Sequence, residues 1–390
     1  MVMSSLKNIE RSEISMLIKN CNIVYYDRIE KGSVLIKDGK IKEINTDTLD
    51  DNVLDAEGLY LAPGFIDVHI HGAGGCDTMD GTVESINKIS KAIVEHGVTS
   101  FTPTTMTVSI EEIRNSLKAI KESKENGTEG AQVLGAHLEG PFISYEALGA
   151  QNGNYVLEPT IDNFKKISDG YEDVITSVTL APEVEGAGEL IQYISEKGIV
   201  CSIGHTKATY EECIEAIKLG ASHSTHLYNA MTGFKHRSPG VVGATFDTDI
   251  TTETISDGIH ISYPALRVAY KQKGTDKVLL VSDSMMACCM PDGDYSLGGQ
   301  KVTVKNGVAT LEDGVLAGSV LTLDKAVRNI YKNSKLPLNE IVKMATYNGA
   351  RHCKVEDHKG LIKEGYDADI ILFDDNINIK KVFINGKEKF

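Results

Sequence analysis

Hydrophobic residues along this chain change their period at Pro63. Between Met16 and that proline, stretches such as MLIKNCNIVYYD and KGSVLIKDGKIKEI alternate apolar with polar positions around the turn signal Lys37-Asp38-Gly39-Lys40. A period of two broken by tight turns predicts antiparallel strands and hairpins. Beyond Pro63, short apolar runs alternate with amphipathic helical stretches. VESINKISKAIVEHG precedes VTSFTPTT, IEEIRNSLKAIKESKEN precedes QVLGAHLEG, GELIQYISEKG precedes IVCSIGHT, and YEECIEAIKLG precedes SHSTHLYNA. Further strands are predicted at VITSVTLAPE, ITTETISDGIH and VLLVSDSMM, with a helix at YPALRVAYKQKG. A strand pair at QKVTVKNGVATL interrupts the late part, helices follow near 320–332 and 338–350, and strand texture returns in DADIILFD and KKVFINGKEKF.

Repeated β-then-α units imply a parallel sheet covered by helices. About eight such strands, each ending in polar residues, suit a (β/α)8 TIM-like barrel better than an open sheet. The expected fold is therefore α/β: a barrel over 63–359, and a small β-sandwich domain built from both chain ends, 16–62 and 360–390. Residues 1–15 form a polar extension with no assigned role.

Composition narrows the function classes. A chain of 390 residues with 41% hydrophobic content can bury a large core. A net charge of −15 argues against a nucleic-acid or membrane-surface partner, which would repel it. Seven scattered cysteines show no CxxC spacing, so neither a zinc knuckle nor a disulfide framework is expected. The start lacks the apolar stretch of a secretory signal, and no segment has the ~20 apolar residues of a membrane span. A cytoplasmic location is the default expectation.

The run PGFIDVHIHG (63–72) carries the first chemical signal. Residues i and i+2 of a strand point the same way, so His69 and His71 can offer both imidazoles to one ion, with Asp67 on the same face. Alone, the pair could equally be two solvated rim histidines. Four more donors stand where later strands should end: Glu139 in GAHLEGPF, His205 in CSIGHT, His226 in SHSTHLYNA and Asp283 in LLVSDSMM. Barrel strand ends converge on one face, and imidazole with carboxylate suits Zn2+ or Fe2+. His137 and His223 read as core or supporting histidines.

PGFIDVHIHG, HLEGPF, GHT, THLYNAM, DGIH, SDSM and LAGS, in that order, resemble the amidohydrolase superfamily and, within it, the N-acetylglucosamine-6-phosphate deacetylases. The resemblance runs from about Met16 to the C-terminus. It implies that Glu139, His205 and His226 hold the principal metal, and that His69 and His71 hold a second ion, with Glu139 as the bridge. It implies that Asp283 is general base and then general acid. It further implies a homodimer in which one phosphate contact crosses the interface. The expected reaction is hydrolysis of N-acetylglucosamine 6-phosphate to glucosamine 6-phosphate and acetate. N-acetylgalactosamine 6-phosphate is an alternative substrate, and a non-catalytic barrel binding protein is the reading from a different class.

By the same resemblance, Asn229, Ala230, Arg237, His260 and the run Leu316-Ala317-Gly318 contact substrate, with Arg237 and His260 on the phosphate. Ala150 and Gln151 belong to this set, although Gln151 stands where many members carry a histidine. Two other features invite overreading. Cys288-Cys289 cannot readily chelate one metal together, so packing is the expected role. HGAGGCD (71–77) lacks the spacing of a dinucleotide site.

Overall fold

The computed structural model describes residues 15–46, 48 and 50–390. The expected extension thus lies, but for Ser15, outside the described residues. Eight parallel strands form the centre of the molecule: Phe65–Ile70, Val98–Pro103, Ala136–Glu139, Ile175–Leu180, Val200–Ile203, Ala221–Ser224, Thr251–Ile255 and Val278–Val281. The last six pair in chain order as one sheet, and the first two pair in a second with the short strand Gln132–Val133. Single parallel bridges, Thr104 to His137 and Ile70 to Ser284, join the edges of the two sheets at both seams.

The expected helices pack on these strands. Val83–Val94 buries Ile86, Ile89 and Ile93 on one stripe, the 3.6-residue pattern that predicted it. Side-chain caps start several of them. Thr82, Ser109, Thr160 and Thr209 each accept a first-turn backbone N–H, worth about 1 kcal/mol apiece. The helix expected over 338–350 is broken at Thr346 into Leu338–Ala345 and Tyr347–His352. Ile161–Ser168 and Gly240–Asp247 are helices that the periodicity does not predict.

Strands from both chain ends share a further sheet. Tyr60–Pro63 pairs antiparallel with Ile370–Phe373 and parallel with Ser15–Val24. The expectation of a sandwich needs correction in its hydrogen bonding, because all eight strands form one connected sheet. The long first strand shifts register between Ile18 and Cys21, so each half meets a different neighbour, Val53–Asp55 or Tyr60–Pro63. Ile41 and Phe383, from strands far apart in that sheet, nevertheless share one apolar cluster with Ile18, Ile23 and Leu61, so the sheet bends over its own core. A three-stranded antiparallel unit, Gly293–Leu297, Gln300–Lys305 and Val308–Thr310, forms a separate sheet after the eighth parallel strand. No helix among the described residues is long and apolar enough to cross a membrane.

Candidate active site

The C-terminal ends of the eight strands carry the predicted donors to one point. His69 lies inside its strand, His71 one residue past it, and Glu139 closes the third strand. His205, His226 and Asp283 each fall two residues beyond a strand, and all three have left-handed backbone, with φ of 47°, 29° and 47°. Non-glycine residues adopt that region at a cost of about 1–2 kcal/mol, and such strain concentrates at functional sites. Here the turn swings each side chain back over the sheet end. All six residues are buried.

Glu139 is the hub. Its Oε1 lies 3.0 Å from His226 Nε2, 3.2 Å from His205 Nε2 and 3.4 Å from His69 Nε2, and its Oε2 lies 3.2 Å from His71 Nε2. The Asp283 Oδ1 is 3.3 Å from His71 Nε2 and 3.5 Å from His69 Nε2. Two overlapping triads, His69–His71–Glu139 and Glu139–His205–His226, could each hold an ion.

The hydrogen bonds behind the rings fit a cation. His69 Nδ1 meets Glu253 Oε2 at 2.9 Å, His71 Nδ1 meets the Thr104 carbonyl at 3.3 Å, and His205 Nδ1 meets the Ala147 carbonyl at 3.0 Å. Carboxylates and carbonyls only accept, so Nδ1 carries the proton and Nε2 presents a lone pair. Yet Nε2 atoms face each other at 3.4 Å between His69 and His71, and at 3.1 Å between His205 and His226. Bare lone pairs at those separations repel unless positive charge lies among them. A divalent ion supplies it, and acceptors behind ligating imidazoles are the usual support of such sites.

Without an ion the cluster resolves its charge through the histidines. Burial disfavours the charged forms, but neighbouring carboxylates outweigh it and raise His71 to about 9 and His69 well above its ordinary value. The same contacts hold Glu139 well below the carboxylate range and keep Asp283 below it too, despite burial. Asp67 behaves differently. It accepts backbone N–H from His69 and Ser282, burial pushes it up to about 7, and it belongs to neither triad. Its expected place beside the ligands is replaced by a role tying two strand ends together. His137 is neutral, lowered to about 3 chiefly by burial, with Nε2 2.7 Å from the Thr179 hydroxyl.

A cavity of about 260 Å³ opens over the donors. Its wall includes Ala150, Gln151, Asn229, Ala230, His260, Leu316 and Gly318 from the predicted contact set, together with Asp283. Two predicted contacts stand elsewhere. Ala317 is fully buried outside the wall, its N–H donated to the Ala309 carbonyl. Arg237 is exposed on the loop after His226 and does not line the cavity. Gly318 has φ of 59°, and a Cβ there would come within 3.2 Å of the Asp283 carbonyl, so only glycine lets this loop run against the Asp283 turn.

Gln151 is engaged rather than free. Its Nε2 donates to Glu139 Oε2 at 2.8 Å and its Oε1 accepts the Thr107 N–H at 2.7 Å. Sequence reading also passes over Glu253. This buried carboxylate joins His69 Nδ1, His223 Nε2 at 3.2 Å and the His226 N–H at 3.1 Å. The available signal was a lone acid inside the β-branched strand ITTETIS.

Residues 60–389 match the model of the amidohydrolase family. The chain belongs to that family, whose members are metal-dependent hydrolases. It is 41% identical to the N-acetylglucosamine-6-phosphate deacetylase of Lysinibacillus sphaericus, over 96% of this chain and 97% of the relative. It is 34% identical to the N-acetylgalactosamine-6-phosphate deacetylase of Escherichia coli O157:H7, over 90% and 93%. The crystal structure of N-acetylglucosamine-6-phosphate deacetylase from Pasteurella multocida superposes with a TM-score of 0.92 at 31% identity, covering 96% of this chain and 99% of that one.

Proposed function

We propose that this chain hydrolyses the N-acetyl group of N-acetylglucosamine 6-phosphate, giving glucosamine 6-phosphate and acetate. The observation that carries the reading is the set of lone-pair-bearing imidazoles around Glu139, with the Asp283 carboxylate on the wall of the same cavity. Glu139, His205 and His226 would hold one divalent ion and His69 and His71 with Glu139 could hold a second, and imidazole with carboxylate suits Zn2+ or Fe2+. Such an ion lowers the pKa of a water to about 7 and polarises an amide carbonyl. Asp283, kept ionised by its histidine neighbours, takes the proton of the attacking water and returns it to the departing amine nitrogen. Without that proton the leaving group would be an amide anion.

The rest of the reading follows the same architecture. The eight strands close into a (β/α)8 barrel over 63–359, supported by the bridges at both seams. The sheet from 16–62 and 360–390 is a second domain, supported by its own apolar cluster. Asn229, Ala230, Leu316, Gly318 and Ala150 shape the sugar pocket, and Ala317 holds the backbone of that loop. His260, whose Nδ1 lies 2.6 Å from Asp257 Oδ2, presents its other nitrogen to the phosphate. Among the described residues the cavity wall holds no lysine or arginine, and the family resemblance, which implies a phosphate contact across a homodimer interface, gives exposed Arg237 that role. Seven free thiols suit the reducing cytoplasm.

Acetate release by metal-loaded protein tests the reading. Fast turnover of N-acetylglucosamine 6-phosphate and little of the unphosphorylated sugar is expected. Turnover of neither would overturn it, and a preference for the galactosamine epimer would move the assignment to the second relative's reaction.

A further inference from the structure

Cys288 and Cys289 follow the Asp283 turn, yet they occupy opposite environments. Cys288 is buried, with Sγ 3.5 Å from the Leu321 carbonyl, whereas Cys289 is exposed with φ of 65°. The two sulfurs stand 3.8 Å apart. His96, just past the helix Val83–Val94, is close enough to Cys289 to favour its thiolate electrostatically, and its Nδ1 lies 3.2 Å from Asp324 Oδ1. Asp324 is buried in the first turn of Leu323–Asn333 and also receives Arg328 Nη2 at 3.1 Å. An imidazole–carboxylate pair thus neighbours an exposed thiol that has a second, buried thiol beside it.

We propose that Cys289, His96 and Asp324 form a peroxide-reactive thiolate site and that Cys288 is its resolving thiol, the pair closing to a vicinal disulfide. This chemistry is independent of the hydrolase reading. The Cys289 thiolate attacks one oxygen of hydrogen peroxide; the O–O bond breaks, and the leaving hydroxide takes a proton to become water. Cys289 is then a sulfenic acid. Cys288 sulfur attacks it, the S–O bond breaks, and the departing hydroxide carries off the Cys288 proton as a second water. Two electrons leave the thiol pair and reduce one peroxide to two waters.

The electrostatics separate the two thiols: the contact with Cys289 and burial raise Cys288 well above its ordinary value and keep it protonated. The Cys288 thiol hydrogen-bonds Cys289, and His96 adds its charge, which together outweigh burial and bring Cys289 down to about 5; Lys325 contributes in the same sense. Burial opposes a charged His96, but Asp324 and Cys289 raise it to about 10. Cys76 is a built-in control: it is partly exposed, and burial pushes its thiol up. Adjacent Cα atoms lie about 3.8 Å apart, short of the ~4.4–6.8 Å usual for a disulfide. The vicinal bond is therefore strained and easily reduced, the property of reversible rather than structural disulfides. It would form beside the metal cluster, because the Cys288 carbonyl accepts the Gly74 N–H and the Ser284 carbonyl accepts those of His71 and Gly72.

The test uses the full-length, metal-loaded protein and peptide mapping by mass spectrometry. With limiting iodoacetamide at about pH 6, Cys289 should alkylate at least ~10-fold faster than Cys76. Stoichiometric hydrogen peroxide should then give a 288–289 peptide lacking two hydrogens, restored by dithiothreitol. Cys288→Ser with dimedone should trap the sulfenic acid on Cys289, and Cys289→Ser should give neither product. His96→Gln should slow Cys289 alkylation several-fold. Equal rates at Cys289 and Cys76, or peroxide leaving Cys288 free beside an overoxidised Cys289, would overturn the proposal; an unchanged rate in His96→Gln would overturn the role given to the imidazole.

Discussion

His69 and His71 are delivered by a regular strand, whereas His205 and His226 reach the same point from left-handed residues past their strand ends. The rings behind them differ as well. His69 rests on a carboxylate that is itself buried and shared with His223, while His205 rests on the carbonyl of Ala147 in the loop that also carries Gln151. His226 Nδ1 has no protein partner among the described residues. His69 is thus held from the interior by a charged group, whereas His71 and His205 rest on backbone carbonyls, and Glu253 reaches across to the backbone N–H of His226. The lesson is that imidazoles gathered round one glutamate can be tuned separately through the groups behind them, a buried carboxylate for His69 and a loop carbonyl for His205.

Glu139→Gln is the strongest way to break that comparison, because it strikes both halves. It should strip metal from both triads, read as metal per chain after desalting, and normal content would refute the hub role. Asp283→Asn should leave metal content intact and lower kcat by about 10²–10⁴-fold, the usual worth of a positioned acid–base group. Substantial residual turnover would remove Asp283 from that role. Glu253→Gln should separate the halves: ion affinity at His69 and His71 falls about 10–100-fold while the other triad keeps its ion. Calorimetric titration of the metal-free protein reads this, and equal weakening of both steps would contradict the division. Gln151→Ala has the smallest expected effect. It leaves the Thr107 N–H unpaired and loosens Glu139, destabilising by about 1–3 kcal/mol in thermal unfolding with both ions still bound.

Period and order in the sequence carried most of the architecture, because the parallel strands are short, alternate with amphipathic helices and are followed by polar ends. The helices that escaped notice lack the signal. Gly240–Asp247 is apolar nearly all round and buried along most of its length, so it has no polar face to mark a period. The six donors were legible because each stands at a strand end. Glu253 was not, since its partners His69 and His223 lie 184 and 30 positions away along the chain and meet it only in the folded structure. Gln151 was placed among the sugar contacts by family resemblance; it does line the cavity, and its side chain also bonds Glu139 and the Thr107 N–H, which the resemblance does not indicate. Packing explains Cys288 but not Cys289, whose electrostatic neighbours His96 and Lys325 come from two other segments.

The pairing of Tyr60–Pro63 with Ile370–Phe373 has a consequence for how the protein is made. Ribosomes deliver about 5–20 residues each second, and domains generally fold as units during synthesis. The strand that leads through Gly64 into His69 and His71 keeps an unsatisfied edge until the partner some 300 positions later has emerged. Until then that edge is open to pairing with another nascent chain, a recognised route to aggregation. A chain released early, short of residue 373, would carry every donor of the metal cluster and still lack the strand that secures the first two.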